Sequence, residues 1–278
     1  MKKIADLYYN IFHMSVVEDI AEVKNNASEN TEEAIKDFPI LEEMAQAGVL
    51  YGRKKASTHP KMLGFIQAVR NGVGIFDLPQ TLEAVEKARV FLKDIVQKGG
   101  QVLLVGTQPS AKDLIKQFSE KFNFPYVIQR WLGGTLTNFK TLSTRINRYL
   151  QLKADRAAGK LDKYTKKERL DFDREIDRME RLFGGLDNMQ KLPDAVLLVD
   201  SKVHITALKE ASLLKIPVVA IINSDSDPDL VQYLIPANSG SKTSVQWILA
   251  KLESAMEEGK KSGVIANNAN AIQNNANK

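Results

Sequence analysis

Two stretches of the sequence gather cationic side chains and hold no acid. From Met44 to Phe76 the charged residues are Arg53, Lys54, Lys55, Lys61 and Arg70. From Lys121 to Ala154 they are Lys121, Arg130, Lys140, Arg145, Arg148 and Lys153. A solvated protein face ordinarily mixes signs, because mixing supplies ion pairs and avoids self-repulsion. Long single-sign windows suit an anionic partner instead, most economically the backbone of a nucleic acid. Inside the second window lies RWLGGTLTNFKTL, Arg130 to Leu142. Its residue types admit three readings: a loop cradling phosphate in an enzyme, a surface gripping nucleic acid, or a plain turn from strand to helix.

The enzyme reading has few supports. VLLVGTQPSAKD places a strand, the single Gly106 and a helix start with Pro109, Ser110 and Asp113 in succession. It lacks the three glycines of a dinucleotide fingerprint and the Gly-Lys-Ser/Thr of a P-loop, so it reads as a capped helix start. NSDSDPDLV offers Asp225, Asp227 and Asp229. It departs from a calcium loop at Leu230, where glycine is needed, and at Pro228. Its carboxylates are expected to cap a helix N-terminus. His13, His59 and His204 lie in separate segments without ligand-type spacing. No catalytic triad or carboxylate pair is legible, and no cofactor or metal is expected.

Composition sets the frame for these residues. Of 278 residues 44% are hydrophobic, enough for a sizeable core, and the absence of cysteine excludes disulfides and thiolate metal sites. The net charge of +5 hides a division: residues 1–43 carry four lysines against ten acids, −6, leaving +11 for the rest. The longest apolar runs, AVLLV and PVVAII, are far too short for a bilayer, and Asp6 interrupts any signal-like start. The expectation is a soluble cytoplasmic protein.

The elements that must position the basic residues alternate. Strands are predicted at 73–78, 101–107, 126–129, 195–200, 218–223 and 233–236. Helices are predicted at 79–100, 109–122, 203–214 and from Lys242 to Glu258. Strands apolar on both faces, alternating with amphipathic helices, give an α/β fold with a doubly wound parallel sheet. Between them Phe139, Leu142, Ile146 and Tyr149, then Phe172, Ile176, Met179 and Phe183, mark two helices with narrow apolar seams. Thr165 and Glu168 form a capping-box signature at the second start. The pair reads as an antiparallel helical hairpin over 138–184 that projects from the sheet domain; the alternative is two ordinary helices packed on the sheet. The sheet domain takes 38–137 and 185–258. Residues 1–37 form an acidic extension, with a short helix that Pro39 ends or redirects. Residues 259–278, rich in Asn and Ala, form a disordered tail.

Taken in order, HPKM, RNGVGIFDL, VLLVGT, PYVIQRWLGGTLTNFKT, LPDAVLLVD, IPVVAIINSDSDPD and YLIPAN closely resemble bacterial small-ribosomal-subunit protein two, the universal S-two family. The resemblance runs from about Leu41 to Glu258. It implies a Rossmann-like sheet domain with an inserted coiled-coil hairpin and no catalysis. The implied work is binding small-subunit ribosomal RNA in assembly and translation. Neighbouring small-subunit proteins are the implied partners, including ribosomal protein one, which the family helps to recruit; no membrane is involved. A nucleotide-binding Rossmann-like enzyme using the Gly106 loop is the alternative.

A-form RNA offers phosphates and 2′-hydroxyls rather than readable major-groove edges. Arg130 can fork onto a phosphate. Trp131 either stacks on a base or anchors the loop in the core. Gly133 and Gly134 either let backbone and its amides approach a partner or serve turn geometry. Thr137 and Asn138 can cap the next helix, along which Lys140, Arg145 and Arg148 continue the basic track. Arg53, Lys54, Lys55, Lys61, Arg70 and Asn71 are the matching phosphate candidates in the first window. The sequence also departs from the family pattern. Leu50 and Arg53 stand where other members carry two histidines, so a metal site there is not expected. Gln108 and Pro109 replace a Lys-Arg pair, removing one expected RNA contact. The acidic extension is expected to face protein or solvent.

Overall fold

The computed structural model describes the backbone of residues 39–276 and the side chains of residues 39–262. The acidic extension expected at 1–37 lies outside the described residues. The chain divides into two compact units, Met1–Gln46 and Ala47–Lys278. In the first, residues 39–46 are helical. Pro39 is itself helical, and the short helix it was expected to end or redirect lies outside the described residues.

In the second unit β1 (Tyr51–Lys54), β2 (Ile66–Arg70) and β3 (Val73–Phe76) form a small antiparallel sheet in the order β1-β3-β2. The sequence reading placed 73–78 in the parallel sheet, and the structure corrects it. Asn71 (φ 50°) and Gly72 (φ 76°) form a two-residue turn with both φ positive, and Arg70 pairs with Val73 across it. That is the turn whose twist matches paired strands, and Asn-Gly is its favoured filling.

The larger sheet contains β4 (Val102–Val105), β5 (Tyr126–Val127), β6 (Ala195–Val199), β7 (Val218–Ile222) and β8 (Tyr233–Pro236). All pairs are parallel, in the order β5-β4-β6-β7-β8. Every residue of β4, β6 and β7 is buried, as expected for strands covered on both faces. The helices are α1 (Leu78–Gln97), α2 (Lys112–Phe122), α3 (Phe139–Ala157), α4 (Lys166–Phe183), α5 (Ile205–Leu213) and α6 (Lys242–Ala276). Leu103, Val105, Val196, Leu198, Ala220 and Ile222 point to one face and pack with α3, α4 and α5 in one cluster. The alternate residues of each strand point the other way, where α1 and α6 pack together.

Leu142, Ile146 and Tyr149 at the start of α3, and Ile176, Met179 and Phe183 at the end of α4, belong to the main core cluster. Farther out Leu150, Tyr164 and Leu170 are exposed. Along their length the helices are tied by Arg148–Glu175 at 3.1 Å, Lys153–Glu180 at 3.3 Å and Arg156–Asp173 at 3.3 Å. The Thr165–Glu168 capping box forms. α6 passes the predicted end at Glu258 and enters the stretch expected to be disordered. Low hydrophobicity bars independent folding, but adding residues to a helix already nucleated and packed needs no new nucleus. Gly259 lies against α1, where a Cβ would sit 2.6 Å from the Lys93 carbonyl oxygen.

Candidate nucleic-acid interface

The RWLGGTLTN loop leaves β5 and enters α3, and it is folded around a carboxylate from α5. Glu210 is 5% exposed. Its Oε1 accepts from Trp131 Nε1 at 3.0 Å and from the Gly134 amide at 2.9 Å. Its Oε2 accepts from the Leu136 amide at 3.0 Å, the Thr137 amide at 3.2 Å and the Thr137 hydroxyl at 3.2 Å. Burial alone would raise the Glu210 carboxyl. The hydrogen bonds from Trp131 and the three amides outweigh it and hold the group below the ordinary carboxylate range.

This arrangement decides several alternatives. Trp131 is half-buried, packs against the core cluster and spends its N–H on Glu210, so it anchors the loop. Gly134 has φ 89°, and a Cβ there would lie 3.3 Å from that of Asn138, so turn geometry requires it. Its amide is turned inward and is not a donor to a partner. Gly133 differs: φ is not positive and a Cβ would meet nothing within 4 Å. Capping by Thr137 and Asn138 does not occur. Thr137 donates its hydroxyl to Glu210, and Asn138 at the N-cap makes no side-chain cap bond. The buried carboxylate is a stronger acceptor than a terminal amide is a partner. Sequence reasoning missed Glu210, which lies more than seventy residues along the chain from the groups it holds.

On α3 the exposed residues Lys140, Thr141, Thr144, Arg145 and Arg148 span an arc of about 140° at 3.6 residues per turn. The buried stripe of Leu142, Ile146 and Tyr149 lies opposite. Arg130 is exposed just before the loop. Among the described residues no acid pairs with Arg130, Lys140 or Arg145, whereas Arg148 pairs with Glu175.

The other candidates lie on the small sheet. Arg53, Lys54, Lys55, Arg70 and Asn71 are all exposed there. The Arg53 amide donates to Ser224 Oγ at 2.8 Å, and the Lys55 amide to the Gly72 carbonyl at 2.8 Å, fixing β1 to the end of β7 and to the hairpin. Among the described residues Arg53, Lys54 and Lys55 have no acidic partner. Lys61 has two: it hydrogen-bonds Asp229 and lies 3.6 Å from Asp227. The bond to Asp229, only partly opposed by desolvation, raises the Lys61 ammonium above its ordinary range. Met62, Phe76, Leu136 and Trp131 beneath the two basic groups share one core cluster.

The Asp residues of NSDSDPDLV cap no helix. Asp225 pairs with Lys202 at 2.8 Å, Asp227 and Asp229 hold Lys61, and the chain continues into β8. Among the described residues no group of three or more acids and histidines is placed for a metal ion.

The sheet reverses its winding between β4 and β6, the usual ligand crevice of such folds. Here the protein's own side chains bond to one another across it. Asp200 Oδ2 accepts from Gln108 Nε2 at 2.6 Å and from Ser239 Oγ at 2.9 Å. His204 Nε2 lies 3.0 Å from the Thr107 hydroxyl. Burial lowers the His204 pKa despite its bond to the Asp200 carbonyl and so favours the neutral ring. At Gly106 a Cβ would meet Ile115 at 2.9 Å and Ala111 at 3.0 Å, so this glycine serves strand–helix packing. The helix start after it is uncapped: Ser110 donates to the Ser239 carbonyl instead.

The profile of the family Ribosomal protein S2 matches residues 44–259. The chain is 40% identical over 211 residues to the small ribosomal subunit protein uS2 of two Thermus thermophilus strains, covering 76% of this chain and 82% of each relative. It is 40% identical over 220 residues to that of Coprothermobacter proteolyticus, covering 79% of this chain and 82% of the relative. No described helix is long and apolar enough to cross a membrane. The chain belongs to the ribosomal protein S2 family and is a structural, non-catalytic constituent of the small ribosomal subunit, working on the ribosome in the cytoplasm.

Proposed function

We propose that this protein binds small-subunit ribosomal RNA through two basic faces over one core. One comprises Arg130, Gly133, Lys140 and Arg145, with Arg148 beside them. The other comprises Arg53, Lys54, Lys55, Arg70 and Asn71. The observation that carries the reading is the exposed arc of α3, whose Lys140 and Arg145 have no acidic partner among the described residues. Such cations neutralise phosphates and release counterions, so affinity falls steeply with salt. Lys61, held by Asp227 and Asp229, acts as a tether rather than a phosphate contact. Trp131, Gly134, Thr137 and Asn138 shape the loop.

α3 and α4 act as a coiled-coil arm whose base is built into the core. Recruitment of ribosomal protein one and contact with neighbouring subunit proteins belong to the same reading and rest on the family likeness alone. Capture of purified ribosomal protein one by small subunits with and without this chain tests that part.

The RNA reading is tested by measuring binding of the full chain to small-subunit ribosomal RNA at stepped salt. Arg130→Ala with Lys140→Ala should lower the slope of log affinity against log salt by about two, one per phosphate contact. An unchanged slope and affinity would sink the assignment of this face.

A further inference from the structure

The loop that presents Arg130 and Gly133 has no regular backbone ladder. Within it the Thr135 amide bonds the Leu132 carbonyl and the Asn138 amide bonds that of Gly134. The Thr135 hydroxyl also donates to the Leu132 carbonyl at 2.6 Å, and five further donors converge on one side chain of another element. Five donors, three of them backbone amides, surround the two oxygens of Glu210. Backbone amides pointing into a concavity are the usual way proteins hold phosphate. Here an internal carboxylate occupies that concavity, so the amides of Gly134, Leu136 and Thr137 are withdrawn from any external anion. What remains outward is the convex side, with Arg130, Gly133 and Lys140 exposed.

We infer that Glu210 is the positioning residue of this RNA-binding loop, a built-in anion that folds the loop before RNA arrives. The inference rests on reading this face as an RNA interface. An irregular segment of about eight residues loses substantial conformational entropy when ordered. Ordering it in the free protein removes that cost from the binding step. The carboxylate stays ionised because its donors outweigh its burial. Its negative charge lies inside the loop while the cations lie outside, so the loop is set without a negative charge on the RNA-facing side.

Glu210→Gln puts an NH2 group where one oxygen accepted amide donors. The experiment uses the full chain with Trp247→Phe, so that Trp131 is the sole tryptophan of the two present. Glu210→Gln is compared with Arg130→Ala/Lys140→Ala. Acrylamide quenching of Trp131, thermal melting and affinity for small-subunit ribosomal RNA across salt are measured for each. Glu210→Gln should expose Trp131 to quencher and weaken RNA binding about tenfold or more at an unchanged salt slope, because Glu210 touches no phosphate. The double variant should lower the slope and leave quenching alone. If Glu210→Gln loosens Trp131 yet binds like the parent, the inference is overturned and the RNA face stands. If the double variant binds like the parent, the face itself fails and the inference with it. Should Glu210→Gln not fold, amide exchange on the unmutated chain decides. Slow exchange at Gly134, Leu136 and Thr137 before RNA is added supports preorganisation, and exchange at loop rates refutes it.

Discussion

Gly133 and Gly134 are adjacent and chemically identical, yet the structure predicts opposite consequences for replacing them by alanine. Gly134 has φ 89°, and the added Cβ would stand 3.3 Å from Asn138 Cβ. An L-residue in that conformation is strained by about 1–2 kcal/mol, and tight contact with the first residue before α3 adds to it. A loss of roughly 1–3 kcal/mol follows, which lowers the melting temperature of a domain this size by about 3–9 °C. Gly133 has ordinary φ and open space, so alanine should leave stability unchanged or raise it by roughly 0.4–1 kcal/mol through the unfolded chain. Thermal melts of the two single variants read the difference. RNA binding then completes the test: if backbone approaches RNA at Gly133, its alanine variant should bind more weakly while melting normally. Equal destabilisation by both variants would refute the loop geometry. Normal RNA binding by Gly133→Ala would remove Gly133 from the interface.

Other expectations follow from the same structure. Two buried groups make the protein acid-sensitive in separate windows. His204 is depressed by burial, so the unfolded chain takes up its proton first and stability falls as pH drops below about 6.5. Glu210 is also depressed, and its stabilisation is present above about pH 4.3 and lost as pH falls through its lower folded value. Denaturant melts of His204→Gln from pH 7 down to about 3 should lack the upper step and retain the lower. Gly259→Ala should press on the Lys93 carbonyl and cost roughly 1–3 kcal/mol in a denaturant melt; no loss would mean that α6 does not pack on α1 there. Lys61→Ala should leave the RNA salt slope unchanged, whereas Arg53→Ala should lower it by about one. Equal effects would show that Asp227 and Asp229 do not withdraw Lys61 from RNA.

The larger sheet was legible because its signal is local. Runs such as VLLV, AVLLV and VVAII, bounded by Gly, Pro or Asp, declare strands buried on both faces without knowledge of any partner. The capping box was legible for the same reason, since Thr165 and Glu168 are three residues apart. The small antiparallel sheet was not read, although Asn71-Gly72 signals its turn. β1 and β2 are short and largely exposed, so neither shows a buried periodicity. The helix starts at Lys112 and Phe139 were misread because Ser110 and Thr137 found distant acceptors, the Ser239 carbonyl and Glu210. Local capping preference is worth about 1 kcal/mol, which a buried charged partner exceeds.

The same distinction sorts the basic residues. Counting charges in a window subtracts only acids nearby in sequence, and by that measure every cation of the two windows is available. Folding subtracts acids from elsewhere. Asp227 and Asp229 take Lys61, Glu253 takes Lys121, Glu175 takes Arg148 and Glu180 takes Lys153. Arg53, Lys54, Lys55, Arg130, Lys140 and Arg145 are the members that keep an exposed charge with no acidic partner among the described residues. An exposed ion pair is worth little to stability, so these pairings do not explain the fold. They act on recognition instead: each moves a cation out of the single-sign field and narrows the surface on which a polyanion gains. On the proposed reading the acid-free windows mark the RNA-binding surface, and acids far along the chain set its edges.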